Sequence, residues 1–407
     1  MSNSVPEGWY QSKLGVVADL IMGQSPPSNT YNNSRIGLPF FQGKTDFGSH
    51  YPSVRVWCSK PTKVAEKDSI LFSVRAPVGD INIASESCCI GRGLAAIKGT
   101  KVEQAFLYQT FKFVKHRFQL LAQGSTFEAV SGGEMRDFKL ILPPLPEQKK
   151  IAAILTSVDT VIEKTQAQID KLKDLKTGMM QELLTKGIGH TEFKDSPVGR
   201  IPVEWEVVTL ADLISSMDGG VSVNSENKQK ASGEMGILKT SCVSKGNFYP
   251  NENKVVLHNE MDRLKTPVKD DHIIFSRMNT PALVGESGYV NKSYDDLFLP
   301  DRLWLIDVYR DKVYVLWLSY ILAFNSTRKK ITDAATGTSG SMKNISKPSL
   351  LSIKIAYPHI NEQEKIASIL KSVDKKLNKT LHKLSSYQNI KKVLMQDLLT
   401  GKVRVKL

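Results

Sequence analysis

The stretch Glu147-Gln148-Lys149-Lys150-Ile151-Ala152-Ala153-Ile154-Leu155 returns 215 residues later as Glu362-Gln363-Glu364-Lys365-Ile366-Ala367-Ser368-Ile369-Leu370. Both copies run on into Ser-Val-Asp, at Ser157-Val158-Asp159 and Ser372-Val373-Asp374. Both end in Met-Gln-acid-Leu-Leu-Thr, at Met180 to Thr185 and Met395 to Thr400. Without a gap, 18 of 39 aligned positions are identical, so the chain carries an internal repeat.

The repeated stretch has a helical pattern. In the first copy Ile151, Leu155, Val158, Ile162, Thr165, Ile169, Leu172, Lys176, Met179 and Leu183 recur at alternating steps of four and three. That is a heptad seam. In the second copy the seam runs from Ile366 through Leu370, Val373, Leu377, Thr380, Leu384, Tyr387, Lys391 and Leu394 to Leu398. Thr and Lys interrupt both seams at matching places. Pro146 opens the first helix, where its missing N–H costs nothing. Gly187 and Gly189 close the first, and Gly401 closes the second. A helix of this length spans roughly 58 Å and would leave its apolar stripe wet if it stood alone. Two such helices in one chain can bury each other.

Weaker markers repeat ahead of each helix. Pro6-Glu7-Gly8-Trp9 matches Pro202-Val203-Glu204-Trp205, and Ile70 to Ser73 followed by Arg75 matches Ile273 to Ser276 followed by Arg277. Arg92 before Leu94 to Ile97 matches Arg302 before Leu303 to Ile306, and Gly124-Ser125-Thr126 matches Gly337-Thr338-Ser339. Short Val/Ile/Phe runs broken by Gly, Pro and Asn predict strands. Amphipathic patches at 102–121 and 313–331 predict one helix in each globule. The expected fold class is α+β: two similar globules, 1–145 and 187–358, separated by long helices at 146–186 and 359–407 that form an antiparallel, pseudo-two-fold coiled coil.

This layout resembles the specificity subunit of Type I restriction–modification enzymes. The match rests on Leu142-Pro143-Pro144-Leu145-Pro146-Glu147-Gln148 running into Ile151-Ala152, and on Asn361 to Ala367. Gly23-Gln24-Ser25-Pro26-Pro27 and Arg92-Gly93-Leu94-Ala95-Ala96 fit as well, and the resemblance covers the whole chain. One departure is Tyr357-Pro358-His359-Ile360-Asn361 in place of the Pro-rich helix start, which allows the chain to enter that helix at a different angle. The resemblance implies that each globule is a target recognition domain reading one half of a split site in double-stranded DNA. It implies that the coiled coil sets the spacing and docks two methyltransferase subunits, and that motor-nuclease restriction subunits join them. S-adenosylmethionine, ATP and magnesium would belong to those partners, with no cofactor or metal in this chain. Two similar domains on one chain suit two half-sites in opposite orientation.

Arg commonly reads guanine and Asn or Gln adenine, while Lys, Ser and Thr hold phosphates. The candidates for DNA contact are Gln42, Lys44, Arg75, Arg92, Ser125 and Thr126 in the first globule. In the second they are Lys239, Ser241, Arg277, Asn279, Arg302, Thr338, Ser339 and Ser341. Arg92 and Arg302 suit a structural ion pair as well as a DNA contact, and the Gly/Ser/Thr loops suit plain turns. Trp9 and Trp205, beside Pro at the start of each globule, read as packing anchors rather than base-stacking platforms.

The residues exclude much else. There is no Asn-Pro-Pro-aromatic tetrad for gripping a flipped base, no Gly-rich dinucleotide loop and no phosphate loop. The pairs Asp270-Asp271 and Asp295-Asp296 lack the lysine and strand context of a nuclease and read as solvated surface. Non-catalytic DNA recognition is therefore expected. The rival readings are a divergent methyltransferase or nuclease, and a structural adaptor blind to DNA sequence. Residues 1–10 lack the pattern of a signal peptide and no apolar run reaches the roughly 20 residues a bilayer needs, so a cytoplasmic protein is expected. Cys58, Cys88, Cys89 and Cys242 form no C-x-x-C pair and read as free thiols.

The 407 residues hold 55 Lys+Arg against 41 Asp+Glu, a net charge of +14. Half of that excess, +7, lies in residues 359–407, while residues 187–358 carry only +1. The charge therefore points to backbone attraction or partner docking by the last helix more than to base reading.

Overall fold

The two repeats fold as single helices, Leu145–Thr185 and Ile360–Leu398. The structure is a computed structural model that describes residues 5–123, 129–339 and 341–406. It divides into two compact units, residues 1–168 with 380–407, and residues 169–379. The division falls inside both long helices, so each unit holds half of each. Sequence boundaries drawn at the helix ends differ from this division because the helices pack on the globules as well as on each other. Ile151, Leu155, Leu398 and Leu399 belong to the core of the first unit, with Trp9, Phe106 and Phe111. Leu184, Ile366 and Leu370 belong to the core of the second, with Trp205, Trp317 and Ile321.

Within each unit the helices run antiparallel. In the first, Asp159 meets Lys391, and Glu147 near one helix start meets Arg404 just past the other helix end. In the second, Lys176 pairs with Asp374 at 2.6 Å, and Glu362 accepts from the Ile188 N–H at 2.9 Å. The lysines that interrupt the heptad seam thus answer the aspartates of the Ser-Val-Asp motif.

The globules share one build. The first unit has a four-stranded antiparallel sheet, in the order Ala18–Met22, Leu94–Gly99, Ile70–Ser73, Ile81–Ile83. Its counterpart in the second unit runs Ile214–Gly219, Leu303–Val308, His272–Ser276, Ser287–Val290 and gains Gly246–Phe248 and Val243–Ser244 at its edge. A five-stranded sheet follows in each. In the first unit its order is Tyr31–Asn32, Trp57–Cys58, Leu38–Phe41, Cys88–Ile90, Val64–Ala65. In the second it is Ser225–Glu226, Asn253–Val256, Gly236–Leu238, Tyr294–Phe298, Pro267–Val268. The third and fourth strands of each five-stranded sheet pair in parallel. The expected globule helix is Gln104–Gln123 in the first unit. In the second it is split into Val315–Ala323 and Asn325–Ala334 by the extended, buried Phe324. Among the described residues no helix is long and apolar enough to cross a membrane, and all four cysteines are buried and unpaired.

The Glu-Gln motif has one job in both copies. Gln148 donates to the Pro143 carbonyl (2.8 Å) and accepts from the Glu103 N–H (2.8 Å), tying the long helix to the start of the globule helix. Gln363 repeats this with the Pro358 carbonyl (2.9 Å) and the Tyr314 N–H (3.0 Å). The same cap therefore survives the change to Tyr357-Pro358-His359. The glutamates hold the tryptophans: the Trp9 indole donates to Glu147 (3.2 Å) and the Trp205 indole to Glu362 (2.9 Å). Both rings are buried, as packing anchors should be.

Candidate nucleic-acid interface

In the first unit a chain of backbone contacts gathers four of the candidates. Gln42 directly follows the strand Leu38–Phe41, and its carbonyl accepts from the Gly93 N–H at 3.1 Å. Gly93 in turn accepts from Val74, the residue before Arg75, at 3.0 Å. The Ser25 hydroxyl meets the Gln42 amide at 2.9–3.0 Å, and the Arg92 N–H donates to Ser25 Oγ at 3.3 Å. The glycines make this possible. A Cβ on Gly93 would stand 2.6 Å from the Gln42 carbonyl oxygen, and one on Gly23 would stand 2.2 Å from the Gly91 oxygen. The Gly-Gln-Ser-Pro-Pro motif and the Gly-Arg-Gly turn are therefore two sides of one close approach. Arg75, Arg92 and Gln42 all stand exposed on it, and neither guanidinium finds an ion-pair partner among the described residues. Lys44 differs. Its ammonium pairs with Asp80 at 2.7 Å. Burial pushes the Asp80 carboxyl up, but Lys115 and Lys44 outweigh it and hold the group below the usual carboxylate range.

The second unit rebuilds this rim with other side chains. The Arg277 N–H donates to the Arg302 carbonyl at 3.0 Å, so the two arginines lie side by side. Arg302 is exposed and, like Arg92, makes no ion pair among the described residues. Among the described residues the structural ion pair allowed for by sequence is thus made at neither. Arg277 is half-buried, with its guanidinium 5.8 Å from the centre of the Trp304 ring. Lys239 and Arg302 line one cleft of about 270 Å³ with Ser222, Thr240 and Lys254. The short strand Met278–Asn279 pairs with Met342–Asn344, which pairs with Thr336–Ser339, bringing the 336–344 hairpin beside Arg277.

The remaining candidates are placed as follows. Asn279 accepts from the Thr280 N–H at 2.9 Å, a local turn contact, and its amide lies 3.4 Å from Ser276 Oγ. Ser241 donates to Glu252 at 2.7 Å. Ser341 sits in the hairpin turn. Ser125 and Thr126 lie outside the described residues, as do the side chains of Thr338 and Ser339. Sequence reasoning missed Ser222, Thr240 and Lys254. A signal existed: Gly220-Val221-Ser222 repeats Gly23-Gln24-Ser25 at nearly the offset of the tryptophans, and a Cβ on Gly220 would meet the Leu299 oxygen at 1.6 Å.

The family model described as the Type I restriction modification DNA specificity domain matches residues 6–174 and again 202–385. Each match begins at the proline of a Pro-x-x-Trp turn and runs through a globule into the long helix that follows. The chain belongs to this family. A type I restriction enzyme specificity subunit of Methanocaldococcus jannaschii, MjaVIII, is 26% identical over 409 residues, covering 99% of this chain and 94% of the relative. The putative MjaX specificity subunit of the same organism is 42% identical over 185 residues, which is less than half of either chain (44%). The crystal structure of the type I restriction–modification S subunit of M. genitalium shares the fold, with a TM-score of 0.65 at 14% identity over 100% of this chain and 99% of that one. The chain is thus a specificity subunit with two specificity domains, the number that a bipartite site requires.

Proposed function

We propose that this specificity subunit reads a bipartite site in double-stranded DNA, one half with each globule. Arg75, Arg92 and Gln42 face one half-site; Arg277, Arg302 and Lys239 face the other. The long helices fix the spacing and dock two methyltransferase subunits, and restriction subunits join that complex inside a bacterial or archaeal cell. The chain itself carries out no chemistry. S-adenosylmethionine, ATP and magnesium serve the partners.

One observation carries this reading: matched arginines, exposed or held over a ring and free of ion pairs among the described residues, stand on the same rim of both globules. Such groups keep their donors for an outside acceptor, and guanine and phosphate are the acceptors arginine fits best. The test is methylation mapping in cells carrying the complete system. Arg75→Ala should weaken binding roughly ten- to a hundredfold and relax the sequence at one half-site only. Arg277→Ala should do the same at the other. If both half-sites changed with either variant, one globule would not serve one half-site. Methyl transfer by the purified chain alone would instead make it an enzyme.

A further inference from the structure

In the first unit a cavity of about 540 Å³ lies between the globule and the long helix. The bend at 49–51 and the start of the helix Gln104–Gln123 form one wall, and Thr156, Asp159, Thr160 and Glu163 of the long helix form the other. The chain carries a net charge of +14. Yet the lining holds the carboxylates of Asp68, Glu103, Asp159 and Glu163 and, among the described residues, no lysine or arginine. Glu103 serves as a helix cap, accepting from the Phe106 N–H, and Asp159 pairs with Lys391 and lies 3.6 Å from Lys112. Asp68 and Glu163 make no ion pair among the described residues. Burial pushes His50 below its usual value, so its imidazole adds no charge to the lining at neutral pH.

Two buried side chains of the lining keep a polar atom without a partner. Tyr108 is 4% exposed and Gln109 2%. The Gln109 amide nitrogen donates to Asp159 at 2.8 Å, which leaves its Oε1 bare. The Tyr108 hydroxyl has no hydrogen-bond partner among the described residues. Buried polar atoms are nearly always paired, so both call for an outside donor. The second unit has no such need. Its glutamine cap aligns Tyr314 with Glu103, and therefore Tyr320 with Gln109 and Ser319 with Tyr108. Tyr320 donates directly to Asp374 at 2.7 Å. The counterparts of Thr156, Thr160 and Glu163 are Lys371, Lys375 and Asn378, so the same helix face turns basic.

The chemistry of the lining selects the ligand. Bare phenol and amide oxygens accept N–H groups, free carboxylates supply counter-charge, and the rings of Tyr51 and Tyr108 attract a cation. A metal ion fits poorly: among the described residues no three His, Cys, Asp or Glu groups converge on one point, and the cavity is far larger than an ion. Asp159 and Glu163 are separated by about 6 Å along the helix, with Asp68 added by the globule, so the negative charge is spread along a groove. We propose that this cavity binds a linear polyamine, an alkyl chain bearing two or more ammonium groups, and that the ligand ties the first globule to its long helix. The second unit makes the same junction with its own side chains.

The test is calorimetric titration of the full chain with spermidine at physiological ionic strength, with magnesium chloride as the control for bulk charge. Wild type should bind one equivalent saturably, and magnesium should not displace it. Asp68→Asn with Glu163→Gln should weaken binding roughly tenfold or more. Tyr108→Phe keeps the ring and removes only the bare hydroxyl, so it should weaken binding severalfold while leaving the melting temperature unchanged. Thr160→Lys installs the second copy's residue at an exposed position and should abolish binding, whereas Lys375→Thr in the second copy should change nothing. Absence of saturable binding to wild type would overturn the proposal. Equal affinity in all variants would overturn it too, by reducing the effect to bulk attraction. Spermidine binding that is lost once the methyltransferase subunit is bound would assign the cavity to an ammonium side chain of that partner instead.

Discussion

The two helix starts solve one problem with different donors. In the first unit Glu147 is buried, accepts from the Trp9 indole, and receives a bidentate pair from Arg404, Nε to Oε1 and Nη2 to Oε2, both at 2.7 Å. In the second unit Glu362 accepts from the Trp205 indole, from the Ile188 N–H, and from His190, whose Nε2 lies 3.0 Å from Oε1. The first lock is built mainly from charge, the second mainly from neutral hydrogen bonds and packing. Trp205 is also the more deeply buried ring, 1% exposed against 7% for Trp9. Identical motifs in sequence thus leave the energy in different places.

The largest break should come at the second tryptophan. Trp205→Ala removes a fully buried ring and orphans one acceptor of Glu362, at a cost of about 3–5 kcal/mol. Trp9→Ala should cost less, because its ring is less deeply buried and Arg404 still satisfies Glu147. Hydrogen exchange resolved by unit would show it, since the two units need not unfold together. Peptides from 169–379 should lose protection roughly a hundredfold or more in Trp205→Ala. Equal loss in both variants would erase the distinction drawn between the locks.

The seam aspartates give the next contrast. Asp159 takes a hydrogen bond from Gln109 (2.8 Å), pairs with Lys391, and lies 3.6 Å from Lys112. Asp374 takes Lys176 (2.6 Å) and the Tyr320 hydroxyl (2.7 Å). Asp159→Asn leaves two lysines facing each other without their counter-charge and should cost about 1–3 kcal/mol. Asp374→Asn leaves one lysine and a phenol and should cost less. Burial pushes the Asp159 carboxyl up, but the bonds from Gln109 and Lys391 and the charges of Lys112 and Lys391 prevail, so its folded value lies below the usual range. A depressed carboxylate stabilises fully above the unfolded value, about pH 4, and that share is lost as pH falls through the folded value. Protection in the first unit should therefore decline below about pH 4 in wild type. In Asp159→Asn it should already be low at neutral pH and should decline less on acidification. A parallel fall in both would place the acid response elsewhere.

How much of this was legible depended on range. The long helices were plain because a period of 3.5 and a gapless repeat are local signals. The sheet orders were not, because strands of two to six residues pair across long separations, as Leu38–Phe41 does with Cys88–Ile90. Lys176 and Lys391 read as flaws in the seam. They could have been matched, since 159 with 391 and 374 with 176 share one antiparallel register and all four residues survive in the repeat. Arg75, Arg92, Arg277 and Arg302 stood out as candidates because each sits at a matched strand end. Lys44 and Ser241 looked equally free in sequence, and only the fold brings Asp80 and Glu252 to them.

The smallest expected effect is at His190, and it sharpens the opening contrast most. Removing it with His190→Ala takes one donor from Glu362 but leaves Trp205 and the Ile188 N–H in place. One lost hydrogen bond of three is worth about 1 kcal/mol, a five- to tenfold loss of protection confined to residues 169–379. Arg404→Ala takes both strong donors from Glu147 and leaves a buried carboxylate with one indole, so its loss of protection in the first unit should exceed that of His190→Ala in the second. The reciprocal change, His190→Arg, tests whether charge alone makes the first lock. The space there is set by Gly187, where even a Cβ would fall 2.7 Å from the His190 ring and 2.8 Å from Trp205. A longer guanidinium in that space has to displace the indole to reach Glu362, so His190→Arg should lower protection rather than raise it. If it stabilised the second unit instead, the histidine would be a weaker substitute for arginine, and the two locks would be one design after all.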